Sequence, residues 1–240
     1  MQILIFKTIF QAYISLLVIL AFVFYKELSI FIILQNTFIF LIISTVIYKL
    51  CLYYNMHKFT RASHITYIRI ILSIVMLSLA LNSFFDTSIY GELYFLNIFI
   101  FLAFIALILD GVDGFIARKY KESNSFGITF DQEADNLMLL ILSLSIYLNK
   151  NINIIIFLIP IYRYIFILFM YRFLWLKREL PKSFIRKFVC IFTSILLIIS
   201  HVSYLDEYIM INIVFFTLFI ITFSFAKDII WLYGKKNENM

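Results

Sequence analysis

Cysteine is nearly absent from this 240-residue chain. The two present, Cys51 and Cys190, are too few for a disulfide framework and lack the neighbouring ligand types of a zinc site. Nothing therefore points to an oxidising compartment. Two prolines and five glycines exclude a linker-rich or disordered chain. Charge is scarce as well, at 14% of residues against about 25% in a soluble domain, which excludes an ordinary soluble enzyme. His57, His64 and His201 stand apart and form no ligand pattern. No internal repeat is visible.

What fills the chain is hydrocarbon. Hydrophobic residues make up 64% of it, and the mean hydropathy is +1.00. The expected fold class is all-α, a polytopic membrane helix bundle. Eight apolar stretches, near 6–25, 28–50, 64–82, 94–118, 127–148, 152–174, 185–203 and 208–232, approach the roughly 20 residues that cross about 30 Å of hydrocarbon. Residues 8–25 run too long, and lack the small-residue pattern, for a cleavable signal; a retained helix is expected. Apart from Lys7 and Lys49 at their edges, the first two stretches hold no charge and read as an accessory pair. The 16 tyrosines and 29 phenylalanines read mostly as lipid-facing or packing residues.

Lys and Arg set the expected orientation. With both termini in the cytoplasm, 17 of the 20 basic residues fall at inner ends or loops. Lys26 and Lys150 lie outside and Arg163 lies mid-span, while the outer loops carry Asp86, Glu92, Asp206 and Glu207. The basic run Lys177, Arg178, Lys182, Arg186 and Lys187 around Pro181 reads as a topology determinant facing anionic lipid. The net charge of +6 thus fits orientation and headgroups rather than nucleic acid.

Against this background four aspartates stand out, in D-G-V-D-G-F-I-A-R and, eight residues later, G-I-T-F-D-Q-E-A-D. On a helix, Asp110, Asp113, Gly114 and Ala117 share one stripe, and Gly127, Asp131 and Asp135 share another. Antiparallel helices joined near residues 119–126 would bring the two stripes together. Four carboxylates at a membrane edge need a compensating charge, and hard oxygen donors suit one or two Mg²⁺ or Mn²⁺ ions. The glycines leave room for a phosphate or sugar to approach, and Arg118 ends the first stripe with a fork-shaped cation. Glu122 and Glu133 read as ordinary helix-end charges.

The segment from Asp110 to Asp135 resembles the signature of the CDP-alcohol phosphotransferase family, D-x2-D-G-x2-A-R-x8-G-x3-D-x3-D. All eight specified positions are present: Asp110, Asp113, Gly114, Ala117, Arg118, Gly127, Asp131 and Asp135. At roughly 5% usage per position, chance gives such a match about once in 10¹⁰ windows. The resemblance implies a six-helix core within 62–232, so residues 1–61 form the accessory pair and 62–240 the catalytic domain. It implies transfer of a phosphatidyl-type group from a CDP-linked lipid to an alcohol acceptor, releasing CMP. It further implies that Asp110, Asp113 and Asp131 hold one Mg²⁺ or Mn²⁺, and that Asp110, Asp131 and Asp135 hold or border a second. Asp135 would be the base, and Gly114, Ala117, Arg118 and Gly127 would line the cytidine diphosphate site. A homodimer is a further family expectation, while the lysine and arginine distribution leads to the expectation of an inner-membrane protein with its site facing the cytoplasm.

Thr66 and Arg69 match the end of the family's P-N-x-x-T-x-x-R pattern, while Ala62 and Ser63 replace its proline and asparagine. They are expected at the nucleotide and phosphate; the alternative is a helix cap and an interfacial arginine. Arg163 needs an anionic partner, either an acceptor phosphate or an aspartate of the cluster. Arg163 and Arg172 resemble an arginine pair of phosphatidylglycerophosphate synthase-like members, but Tyr164 stands where those often carry glutamate. The acceptor stays open among glycerol 3-phosphate, serine, inositol phosphate and another phosphatidyl lipid. A second reading, a non-enzymatic membrane cation transporter, would place the carboxylates nearer mid-bilayer on broken helices.

Overall fold

The structure, a computed structural model, describes residues 2–25, 28–56, 58–85, 89–150, 152–177, 184–202 and 206–235. Lys26, His57, Asp86, Arg178, Pro181 and Lys182, used above for orientation and ligand patterns, lie outside them. Among the described residues there are eight α-helices and no strand: α1 (Gln2–Val23), α2 (Ile30–Tyr53), α3 (Arg61–Phe85), α4 (Ile89–Lys119), α5 (Ser125–Lys150), α6 (Leu158–Arg172), α7 (Phe184–Ile199) and α8 (Glu207–Gly234). Each expected stretch has its helix. Among the described residues, six helical segments are long and apolar enough to cross a membrane: α1 to α4, α8, and α6 together with the turn before it, Ile154–Arg172. The other two are α5, whose apolar run is diluted by Asp131, Glu133 and Asp135, and α7, which at 16 residues is shorter than a full span.

The sixth stretch begins differently from expectation. Residues Ile154–Phe157 form a 3₁₀ turn before α6, and Pro160 sits in the first turn of the α-helix, where its missing N–H costs no internal bond.

The chain divides into two compact units, residues 1–141 and 142–240. In the first, α3 is the central helix: 72% of its most apolar window is buried, against 22% for α1 and 28% each for α2 and α4. A helix apolar all round is a buried helix, and Ile70, Ile71, Ile74, Val75, Met76 and Leu79 meet that pattern. Polar side chains on α3 pair across its interfaces. Asn36 of α2 donates to Ser78 Oγ at 2.9 Å, and Tyr67 shares a 3.2 Å bond with Ser44. In hydrocarbon such groups need protein partners, so these bonds fix the register of α2 on α3.

In the second unit α8 packs against α6 and α7. Tyr162 bonds Thr222 at 2.7 Å and stacks on Phe225, and Arg186 pairs with Asp228 at 3.7 Å.

Candidate active site

Three helix ends in the first unit meet where the aspartates lie, and each is terminated by identifiable chemistry. At the start of α3, Thr60 is the cap: its hydroxyl accepts from the Ser63 N–H at 3.1 Å. Asn124 caps α5, its Oδ1 accepting from the Gly127 N–H at 2.6 Å. The end of α4 closes with Glu122 N bonded to the Ala117 carbonyl and Lys121 N to the Arg118 carbonyl, with Lys121 at φ 53°. That is a Schellman turn with lysine in the position that favours glycine. It turns the chain at the end of α4, and the first turns of α5 bring Asp131 back beside Asp110 and Asp113.

Glu122 does more than carry a helix-end charge. Its Oε2 accepts from the backbone N–H of Arg61 at 2.8 Å, which ties the α4–α5 turn to the first residue of α3. The reading of Glu122 as a solvated charge is thereby corrected; the signal was absent because its partner is 61 residues away.

The two aspartate stripes converge on a guanidinium. Arg69 Nη1 donates to Asp113 Oδ2 at 3.0 Å and to Asp131 Oδ1 at 2.7 Å. Its Nη2 lies 3.0 Å from Asp110 Oδ1 and bonds Asp135 Oδ1. Thr66, one turn earlier, donates to Asp113 Oδ2 at 3.0 Å. Thr66, Arg69 and Asp113 are buried, and the other three aspartates are half-buried. Thr66 and Arg69 are therefore neither a cap nor an interfacial arginine. They are on the face of α3 turned toward α4 and α5, which lets one planar five-donor group serve four carboxylates.

The donor set suits a divalent cation. Asp110, Asp113 and Asp131 each offer a carboxylate oxygen, all within 4.8 Å of one another. Such a group of hard oxygens is the chemistry that Mg²⁺ and Mn²⁺ take. Asp135 lies one helical turn beyond Asp131 on α5.

The remaining predicted positions are distributed around this centre. Arg118 is exposed and its guanidinium folds back over Gly114, where an added Cβ would lie 3.3 Å from Nη1. Ala117 is half-buried on the same stripe. A Cβ at Gly127 would meet the capping Oδ1 of Asn124 at 3.2 Å, so glycine there keeps the start of α5 closed. Arg163 and Arg172 lie on α6 in the second unit, Arg163 half-buried and Arg172 exposed in the last turn. Sequence reasoning did not single out Thr60, Asn124 or Asp228, whose partners only the fold supplies.

The family model for CDP-alcohol phosphatidyltransferases matches residues 59–220, roughly two thirds of the chain, and takes in Thr66, Arg69 and all four aspartates. Comparisons with curated proteins and with solved structures yield no match. The family is a phosphotransferase class that moves a phosphatidyl group from a CDP-alcohol to an acceptor, typically with a divalent metal. With its helical membrane fold and its carboxylates gathered from α4 and α5, the chain belongs to the CDP-alcohol phosphatidyltransferase family.

Proposed function

We propose that this protein is an integral membrane transferase of phospholipid biosynthesis. It moves the phosphatidyl group of CDP-diacylglycerol to a small alcohol acceptor and releases CMP. The observation that carries this reading is the convergence of Asp110, Asp113, Asp131 and Asp135 on Thr66 and Arg69, within a chain that matches the family.

Asp110, Asp113 and Asp131 would hold one Mg²⁺ or Mn²⁺, and Asp110, Asp131 and Asp135 would border a second. When bound, such ions neutralise charge on the diphosphate oxygens. Arg69 and Thr66 bring a guanidinium and a hydroxyl to the same place, as a diphosphate requires. Arg118, with Gly114, Ala117 and Gly127, lines the nucleotide side. Asp135 takes the proton of the acceptor hydroxyl as its oxygen bonds to the lipid phosphorus. The bond from that phosphorus to the bridging oxygen breaks, and the electron pair leaves with CMP.

Residues 62–240 constitute the catalytic domain in this reading and residues 1–61 an accessory pair. The charge distribution supports an inner-membrane protein with its site facing the cytoplasm, and the family supports a homodimer. Arg163 and Arg172 are assigned to the acceptor, which stays open among glycerol 3-phosphate, serine, inositol phosphate and another phosphatidyl lipid. The test is CMP release from CDP-diacylglycerol with a panel of acceptors and Mg²⁺ or Mn²⁺. Release dependent on one acceptor is expected; no release with any of them would overturn the reading.

A further inference from the structure

The family match begins at residue 59, beyond the end of α2, so it assigns the first two helices no role. Yet the inner end of α2 is bound to the helices that carry the site. Tyr54, which caps α2, lies 2.9 Å from Thr129 Oγ1 on α5. The Thr129 hydroxyl is already donated to the Ser125 carbonyl at 3.1 Å, so Tyr54 is the donor. Thr129 sits between Gly127 and Asp131.

An aromatic cluster reinforces this link. Phe59, on the connection from α2 to α3, stacks on Tyr67 with ring centroids 5.8 Å apart, and meets Phe126 and Phe130 edge-on at 5.8 and 6.1 Å. Phe126 and Phe130 stack on each other along α5 at 5.3 Å, and Tyr54 meets Phe126 at 6.3 Å. Phe59, Tyr67, Phe126 and Phe130 are all buried. Tyr67 directly follows Thr66, and Phe130 directly precedes Asp131. Successive residues on a helix point about 100° apart, so the cluster grips the face beside the functional one on both helices. Turning either helix by one residue would carry Arg69 away from Asp131. The second Tyr67 anchor, Ser44, also belongs to α2.

We propose that the inner end of α2 and its connection are part of the working site: Tyr54 and Phe59 are positioning residues that set the phase and spacing of α3 against α5, and so the geometry of Arg69, Asp131 and Asp135. The inference rests on the metal assignment above. Misplacement of a ligand set by even a fraction of an ångström weakens it, and the supporting contacts determine that placement.

The test is Mn²⁺ binding by titration calorimetry on the purified full-length protein, alongside its melting temperature. Tyr54→Phe and Thr129→Val should each weaken Mn²⁺ binding roughly five-fold, the factor carried by one net hydrogen bond, and the double variant should be no weaker than either. Phe59→Ala should weaken it further, and Phe59→Leu should recover part of the loss. Should Phe59→Ala fail to fold, the Tyr54 and Thr129 variants decide the matter. Asn36→Ala, which removes the bond to Ser78, is the control: it should lower the melting temperature and leave Mn²⁺ affinity within two-fold. Unchanged affinity in Tyr54→Phe and Thr129→Val, or an equal loss in Asn36→Ala, would overturn the positioning role alone. Absence of Mn²⁺ binding in the unsubstituted protein would overturn the metal assignment and this inference together.

Discussion

Arg69 and Asp113 form a buried ion pair at 3.0 Å, with side chains only 3% and 4% exposed. Burying both charges is costly, and removing one strands the other. Because the same guanidinium also serves Asp110, Asp131 and Asp135, Arg69→Met leaves four carboxylates facing one another. It should lower the stability of the metal-free protein by about 3 kcal/mol or more. Added Mn²⁺ should then raise the melting temperature by more in Arg69→Met than in the unsubstituted protein, because the ion replaces the lost charge. An equal rise in both would contradict this role for Arg69.

Asp110→Asn and Asp135→Asn keep the shape of each side chain and remove its charge. Each should reduce CMP release at least about 100-fold, the lower bound for losing a base or its equivalent in charge. Initial-rate assays on the purified variants check this, and retained turnover in either would refute its assigned part.

Glu122 offers a way to separate a cap from an ion pair. Its contact with the Arg61 side chain is 3.9 Å, and that side chain is 65% exposed, so the pair contributes little. The 2.8 Å bond from the Arg61 N–H is the stronger link. Glu122→Ala should cost about 1 kcal/mol, while Glu122→Gln, which keeps an acceptor oxygen, should cost less than half of that. Thermal melts of both variants give the comparison; equal losses would show that charge is what matters.

Lys121 holds φ at 53°, where a Cβ is unfavourable and glycine is not. Lys121→Gly should raise stability by about 0.5–1 kcal/mol with CMP release unchanged. A fall in melting temperature would mean that the lysine side chain contributes more than its backbone strain costs.

The helices were legible because hydropathy records them directly: α8, expected at 208–232, runs from Glu207 to Gly234. The pairing of aspartate stripes was legible for a similar reason, since helical periodicity and a short turn leave α4 and α5 few ways to meet. Sequence alone gave the carboxylates divalent ions as their compensating charge and placed Arg69 at the nucleotide and phosphate. Arg69 lies 41 residues before Asp110 in the chain, and only the packing of α3 on α4 brings it there. The same holds for Tyr54 and Thr129, 75 residues apart, and for the cap at Glu122. Contacts of that kind depend on tertiary packing, which periodicity does not encode. The 3₁₀ entry to α6 was hidden because an apolar run looks the same in either helix type.

The proposed transfer depends on carboxylates from α4 and α5 acting through a shared divalent ion. The direct measurement is CMP release by protein reconstituted in CDP-diacylglycerol vesicles, first stripped with EDTA and then given Mn²⁺, for the unsubstituted chain and for Asp131→Asn. Activity should vanish with EDTA, return with Mn²⁺ in the unsubstituted protein, and stay absent in Asp131→Asn. Full turnover after metal removal, or in Asp131→Asn, would contradict it.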